Sequence, residues 1–373
     1  MRILHTVQRY HPDSGGSEEV VRQISERLAA WGHEVTVATG ASAQSRPAVI
    51  RGVRVESFDV AGSQVDGIRG EAQRFASFVR GAEVDVIMNY AAQIWSTDLV
   101  LPLLKDLRAK TVLVPCGYSQ LRNPRFARYF EDLPGFLRGY DAVIYLSPNY
   151  IDTAFGASHG LTNGRVIPNA ADLGEFARAV PGRFRAAHRI GGRPMMLNVS
   201  NHSALKNHRF FWNCARMLAD LGVQPVQVAS AYFPGPQKWL RECYAECRWR
   251  GLSGAGLVLE DLPRPQVADA YTDADVFVFG SRVECSPLVM FESFASRTLF
   301  VTTDCGNVSD YDGIACIVED ERGAAQVVRD YLAHPERYAA RVEHGFDAVR
   351  TRLNWDQIAR EYLSLYTELI RRS

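Results

Sequence analysis

Glu284 and Glu292 stand with seven residues between them in Gly280-Ser281-Arg282-Val283-Glu284-Cys285-Ser286-Pro287-Leu288-Val289-Met290-Phe291-Glu292, behind an apolar run that ends at Phe279. Ser286 suits an N-cap and Pro287 a first helical residue, so a helix is expected to begin there. The N–H groups of Leu288 and Val289 would then be free to receive an anion. A carboxylate beside a phosphate is repelled, so each Glu is expected to accept hydrogen bonds from hydroxyls such as those of a ribose or sugar diol. The bland alternative is two solvated surface charges.

Lys206 is the second candidate. Of 42 Lys+Arg, only Lys105, Lys110, Lys206 and Lys238 are lysines. Lys206 lies in Asn198-Val199-Ser200-Asn201-His202-Ser203-Ala204-Leu205-Lys206-Asn207-His208, a loop entering a helix, where a point charge can meet a diphosphate. The third candidate is the Gly15-Gly16 pair after the first apolar run, which lets backbone approach a ligand at a helix start. It is not a Gly-x-Gly-x-x-Gly loop, so a Rossmann oxidoreductase is disfavoured. A plain tight turn with Ser17 as N-cap is the alternative.

The elements that must hold these residues alternate. Strands are expected near 2–8, 34–39, 84–88, 110–115, 141–146 and 164–168, then near 195–200, 225–229, 256–259, 274–279, 298–302 and 314–318. Helical stretches, such as 17–31, separate most of them. Two such series predict an α/β protein of two doubly wound, Rossmann-like domains with parallel sheets. The Pro- and Gly-rich stretch 168–194 is expected to be the hinge. Residues 354–373 read as one more amphipathic helix.

Equal numbers of acidic and basic residues, 42 of each in 373, argue against a general nucleic-acid binder. The composition is 47% hydrophobic and 23% charged, which is globular rather than disordered. No leader or spanning segment is expected, and the seven scattered cysteines read as reduced thiols of a cytoplasmic chain. Cys243 and Cys247, four apart in a helix, read as packing. No metal site is expected, because zinc would need closer pairs and histidines. Residues 105–138 carry seven cations against three anions among five aromatics, which suggests an anionic membrane surface or, equally, a solvated helix over core aromatics. Asn89, Tyr90 and Gln93, just past a strand end, are acceptor-pocket candidates.

Taken together, these segments resemble the retaining family-4 glycosyltransferases of the GT-B fold. The Gly15-Gly16 loop, the Glu-x7-Glu motif with its internal Pro-Leu-Val, the turn Thr303-Asp304-Cys305-Gly306-Asn307 and the stretch Ile167-Pro168-Asn169-Ala170-Ala171-Asp172 carry the resemblance, in order, along nearly the whole chain. It implies two domains facing a central cleft: 1–170 for the acceptor, 171–353 for the donor, and 354–373 crossing back onto the first. Glu292 would bind ribose hydroxyls and Glu284 those of the donor sugar. Lys206, Asn201 and the backbone of Cys285, Ser286, Pro287 and Leu288 would hold the diphosphate. Leu262, in Glu260-Asp261-Leu262, would face the base. Gly15 and Gly16 would bring backbone to the diphosphate and acceptor. Gly16, Lys206 and Glu284 would carry catalysis.

Three departures stand out. Asn201 replaces the usual arginine five residues before the lysine, and His202 or another arginine would have to supply the missing charge. Cys116-Gly117 replaces His-Gly, placing Cys116 beside the acceptor side. Ala170 replaces glycine. The implied reaction moves a sugar from a UDP- or GDP-sugar to a hydroxyl of a glycan or lipid-linked acceptor, in polysaccharide or glycolipid synthesis, without metal or other cofactor, in the cytoplasm or peripherally on the inner membrane face. The rival readings are an impaired nucleotide-sugar binder and a nucleotide-sugar epimerase of the same fold.

Overall fold

The computed structural model describes residues 1–13, 15–229 and 238–372, with the side chains of 238–242 left out. The chain divides into two compact units, Met1–Asn169 with Trp355–Ser373, and Ala170–Asn354.

The first unit is an eight-stranded sheet. Its strands are β1 (Arg2–Thr6), β2 (Glu34–Gly40), β3 (Val49–Ile50), β4 (Val53–Phe58), β7 (Val86–Tyr90), β8 (Lys110–Val114), β9 (Ala142–Tyr145) and β10 (Gly164–Val166), with β5 (Val60–Ala61) and β6 (Arg69–Gly70) forming a separate ribbon. The order is β10-β9-β8-β7-β1-β2-β4-β3, parallel except for the β3–β4 edge. Strand order therefore reverses between β1 and β7, the kind of position where open α/β sheets bind ligands. β4 was not expected from the sequence: Arg54 and Glu56 break its apolar run, yet Val53, Val55 and Phe58 are buried.

Helices α1 (Gly16–Ala30), α2 (Ala72–Gly81), α3 (Trp95–Asp98), α4 (Ala127–Leu137) and α5 (Ile151–Ser158) complete this unit with the last helix of the chain, Trp355–Arg371. That last helix buries Trp355, Ile358, Tyr362, Leu365 and Tyr366, a stripe of helical period. Tyr366 Oη lies 3.2 Å from His5 Nε2, and His5 Nδ1 lies 2.8 Å from Ser25 Oγ of α1. One buried imidazole thus ties β1, α1 and the C-terminal helix, and burial depresses its pKa to about 3.

The second unit is a six-stranded parallel sheet of β11 (Met195–Val199), β12 (Gln224–Ala229), β13 (Leu257–Glu260), β14 (Val276–Phe279), β15 (Leu299–Thr303) and β16 (Cys316–Val318), ordered β13-β12-β11-β14-β15-β16. Its helices are α6 (Leu173–Ala177), α7 (Arg183–Ala187), α8 (His208–Met217), α9 (Lys238–Leu252), α10 (Arg264–Asp273), α11 (Leu288–Ala295), α12 (Glu321–Ala333) and α13 (Ala339–Thr351).

The stretch expected to be a hinge is mostly bolted into this unit. Val180 N and the Arg183 guanidinium bond Asp269, while Gly182 N, at 2.5 Å, and Arg185 N bond Asp273. Four donors on two carboxylates of α10 leave α7 and the turn before it little freedom. The chain enters and leaves this unit side by side, with Ala171 N bonded to Leu353 O at 3.1 Å.

Candidate functional site

In the second unit the strand order reverses between β11 and β14, and the loops leaving these neighbours carry Lys206 and Glu284. A single 3₁₀ turn, Ala204–Lys206, presents the lysine, and Asn207, at φ 48°, ends it in the left-handed region. Asn207 Nδ2 then donates to Gly280 O at 3.1 Å, while Arg282 N and Ser281 Oγ donate to Leu205 O at 2.8 and 3.1 Å. These bonds stitch the two loops together. Across them Lys206 Nζ meets Glu284 Oε1 at 2.5 Å, and Ser281 Oγ donates to the same oxygen at 2.7 Å. The two side chains are 24% and 12% exposed, so their attraction is less screened than that of a surface pair.

The turn after β15 presses on this loop from behind. Gly306, at φ 63°, has no room for a side chain: a Cβ there would lie 2.7 Å from Cys285 O and 3.0 Å from Glu284 Cβ.

Helix α11 starts one residue later than the sequence suggests. Pro287, with ψ 120°, is its N-cap rather than its first residue, Leu288 is the first, and no side chain caps that end. Ser286 is buried just before it. The first-turn N–H groups still lack intrahelical acceptors and mark the start of α11 as an anion-compatible end. Glu292 is only 6% exposed, which removes the reading as a solvated charge. Arg264 Nη2 reaches its Oε1 at 2.5 Å, and Arg264 Nε reaches Glu175 Oε1 at 2.6 Å. Glu175 follows Asp172, which caps α6 by accepting from Glu175 N at 3.2 Å. Arg264 and Glu175 escaped the sequence reading; Arg264 lies two residues past Leu262, where a cation at a helix start was the available signal.

Leu262 is half-buried against the core, behind Asp261 at φ 54°. Asn201 has a buried Oδ1 with no hydrogen-bond partner. His202, one of the replacement cations that the sequence offered, is turned away from solvent. It is 2% exposed, with Nδ1 turned to Cys243 Sγ at 3.9 Å and Nε2 to Glu260 Oε1 at 3.4 Å.

In the first unit Gly15, not Ser17, is the N-cap of α1, and Gly16 opens the helix. The Glu18 carboxylate folds over Gly15, where a Cβ would overlap it, and accepts from Arg9 Nε at 2.6 Å. Beyond β7 and β8 lies an open cavity of about 480 Å³ whose wall includes Ser17, Gln93, Cys116, Gly117 and Arg125. Ala91, Gln93 and Cys116 hold φ of 69°, 64° and 57°, a cluster of left-handed non-glycine residues at one rim. Such strain persists only where surroundings impose it, commonly at functional sites. Gln93 N donates to Tyr129 Oη at 3.0 Å, which ties this rim to α4.

Asn89 and Tyr90 do not belong to this cavity. Both are fully buried, and Asn89 is spent on Thr6 Oγ1 and the Tyr140 hydroxyl, so the strand end is core rather than pocket. Of the two readings of the basic-aromatic stretch, its aromatics follow the core one. Tyr118, Phe126, Tyr129 and Phe130 are buried, and Lys110, Arg125 and Arg128 pair with Asp141, Asp66 and Asp132. No aromatic of this cluster is left to enter a lipid surface except the half-buried Phe136. Among the described residues no helix is long and apolar enough to cross a membrane.

With this geometry in place, the comparisons with known proteins are decisive. Residues 15–170 match the glycosyl transferase 4-like domain, and residues 193–334 match glycosyl transferases group 1. The chain is a family-4 glycosyltransferase of the GT-B fold. This glycosyltransferase is 25% identical to D-inositol 3-phosphate glycosyltransferase of Xylanimonas cellulosilytica, over 100% of this chain and 97% of that one. It superposes on sucrose-phosphate synthase from Thermosynechococcus elongatus with a TM-score of 0.81 at 19% identity, over 100% of both chains. Anabaena Alr3699/HepE in complex with UDP-glucose gives 0.78 at 15% identity, over 99% of this chain and 100% of that one.

Two departures of this glycosyltransferase from its family's pattern now have a physical account. Ala170 is buried and is not among the positive-φ residues, so its position does not require glycine. Cys116-Gly117 keeps left-handed backbone at both residues, φ 57° and 81°, so the cavity rim has a conformation that glycine adopts freely and cysteine does not.

Proposed function

We propose that this glycosyltransferase takes a nucleoside diphosphate sugar, a UDP- or GDP-sugar, in its second unit and transfers the sugar with retention to a hydroxyl acceptor held by its first. The contact of Lys206 with Glu284 at the strand-order reversal, beside the uncapped start of α11, carries the proposal. A diphosphate and a carboxylate repel each other, and the ammonium between them lets both be present. Lys206 and the N–H groups of Leu288 and Val289 would stabilise the departing diphosphate, with charge fixed in place before reaction. Glu284 would accept from donor-sugar hydroxyls. Glu292, aligned by Arg264, would accept from the ribose. Leu262 and the backbone of Cys285 and Pro287 complete the proposed donor contacts.

In the step itself the bond from the anomeric carbon to the diphosphate oxygen breaks. A bond to the acceptor oxygen forms on the same face, and the acceptor proton passes to the departing phosphate oxygen. No protein nucleophile is required, and positive charge from Lys206 and the helix start replaces a divalent metal at the leaving group. Gln93 and Cys116 line the proposed acceptor cavity, with Gly15 and Gly16 giving backbone access. The buried Nε2 of Gln93 has no partner, which suits a donor awaiting a sugar or glycan hydroxyl.

A second reading, a nucleotide-sugar binder with little turnover, is favoured by Asn201: this loop supplies one cation where the family's usual pattern supplies two. The experiment is a thermal-shift screen of UDP- and GDP-sugars, followed by a transfer assay with a simple saccharide acceptor and nuclear magnetic resonance of the product anomer. A stabilising donor with transfer and retained configuration supports the proposal. Stabilisation without transfer selects the second reading, and inversion overturns the mechanism.

A further inference from the structure

We infer that the second unit carries a structural zinc site formed by His202, His208, Cys243 and Cys247. The sequence offers only a Cys-x3-Cys pair, but the fold brings two histidines to it. One ligand atom from each of the four residues lies within 4.8 Å of all the others. The individual separations fit a shared tetrahedral ion. His208 Nδ1 is 3.2 Å from Cys247 Sγ and 3.3 Å from Cys243 Sγ, and His202 Nδ1 is 3.9 Å from Cys243 Sγ. Zinc bonds of about 2.3 Å to sulfur and about 2.0 Å to nitrogen give a tetrahedral N–S edge of about 3.5 Å. Two thiolates and two imidazoles are a donor set that selects zinc over the hard cations magnesium and calcium.

The surroundings are those of a metal centre. His208 Nε2 is held by Ser200 Oγ at 2.8 Å, which in turn donates to Asn198 Oδ1, while His202 Nε2 is buried without a hydrogen bond, 3.4 Å from Glu260 Oε1. Such outer partners fix the tautomer and ring orientation of ligating histidines. Gln227 receives the Trp212 indole N–H on Oε1 at 3.0 Å, so its amide N–H points at His208 Nδ1, 2.6 Å away. Ser200 Oγ gives its hydrogen to Asn198 Oδ1 and so accepts from His208 Nε2–H, which leaves the lone pair on Nδ1; an ion there would take the place of the Gln227 amide N–H. His202, His208 and Cys247 are at most 5% exposed, while Cys243 is half-buried and gives a way in.

The ion would join α9 to the loop after β11, through His202, and to the start of α8, through His208, and so brace the loop that carries Lys206. Its role is structural: all four positions are filled by protein, with none left for water or substrate.

The test uses the untagged full-length chain from zinc-supplemented medium. Elemental analysis by mass spectrometry is expected to find about one zinc per chain. Cobalt(II) added to the metal-free protein should give thiolate-to-cobalt charge-transfer and tetrahedral d–d bands that saturate at one equivalent. Cys243→Ser, at the half-buried ligand, should lose most of the zinc and the charge-transfer intensity, and should melt lower than the zinc-loaded wild type. Should that variant fail to fold, the wild-type cobalt titration still decides. No stoichiometric zinc and no cobalt bands in the wild type, undiminished zinc in Cys243→Ser, or a Cys243–Cys247 disulfide in fresh protein would overturn the inference. Metal content and cobalt spectra are independent of whether the chain transfers sugar.

Discussion

Lys206 Nζ and Glu284 Oε1 stand 2.5 Å apart although 78 residues separate them in sequence. Each lies on a loop leaving one of two adjacent parallel strands from which the chain departs in opposite directions, so the strand order itself makes them neighbours. Removing the ammonium has two consequences: the leaving diphosphate loses its point charge, and Glu284 keeps a partly buried carboxylate with Ser281 as a neutral partner. Lys206→Ala is therefore expected to lower kcat by about 10²–10³-fold, the scale of deleting one preorganised stabiliser of developing charge. Lys206→Arg should recover part of that, because the charge returns with a different reach and shape. Steady-state transfer rates check both, and a rate within a few-fold of wild type in Lys206→Ala rejects the assignment.

Glu292 tests the other end of the proposed donor. Glu292→Gln keeps shape but removes the charge that Arg264 grips, leaving that guanidinium on Glu175. A ribose-binding role predicts a rise in donor KM of roughly 10-fold or more, the worth of one charge-assisted hydrogen bond, with a smaller change in kcat. A purely structural role predicts a lower melting midpoint with KM unchanged. Arg264→Ala should reproduce the KM effect if alignment of Glu292 is what matters.

Gly306 gives a prediction without any ligand. Its φ of 63° and the 2.7 Å approach of a virtual Cβ to Cys285 O make Gly306→Ala strained twice over. A loss of about 1–3 kcal/mol in unfolding free energy is expected from a non-glycine residue held in such a conformation. The backbone that must yield carries Glu284 and Cys285, so donor binding should weaken alongside stability. Urea unfolding and donor titration of the same variant check the pair of effects.

What the sequence made legible was set by local chemistry. The alternation of strands and helices, the Glu-x7-Glu segment and the lysine before a helix all follow from residue type and spacing within about a dozen positions. One expectation failed where burial decides, and two readings that the sequence left open needed burial to narrow them. Asn89 and Tyr90 follow a strand run and look available, but the first unit's core closes over them. The aromatics of 105–138 face inward, which only packing determines. That Cys243 and Glu260 stand against the two nitrogens of His202 is likewise set by the fold and not by the local sequence. The same long-range closure hid the His–Cys cluster, whose histidines and cysteines lie more than 30 residues apart in sequence.

Asp98 supplies a prediction in pH. It is 5% exposed on α3, accepting from Gln64 N at 2.8 Å and from the Tyr129 hydroxyl at 3.1 Å, yet burial outweighs these bonds and raises its pKa to about 6 from 3.8. The folded chain therefore holds this proton more tightly than the unfolded chain does. Between pH 4 and 6 the native state binds more protons, so this group's contribution to stability falls as pH rises through that window and is lost above it. A shift of about two units corresponds to about 3 kcal/mol. Asp98→Asn removes the titration but also one acceptor, so its absolute stability is a poor readout. The difference between wild type and variant across pH is the informative one. Urea midpoints measured from pH 4 to pH 7 should show the wild type losing stability relative to Asp98→Asn as pH rises, with the change centred between pH 4 and 6. Parallel curves would mean that the carboxylate titrates alike in the folded and unfolded chain, and that Gln64 and Tyr129 donate to an ordinary ionised Asp98 at neutral pH.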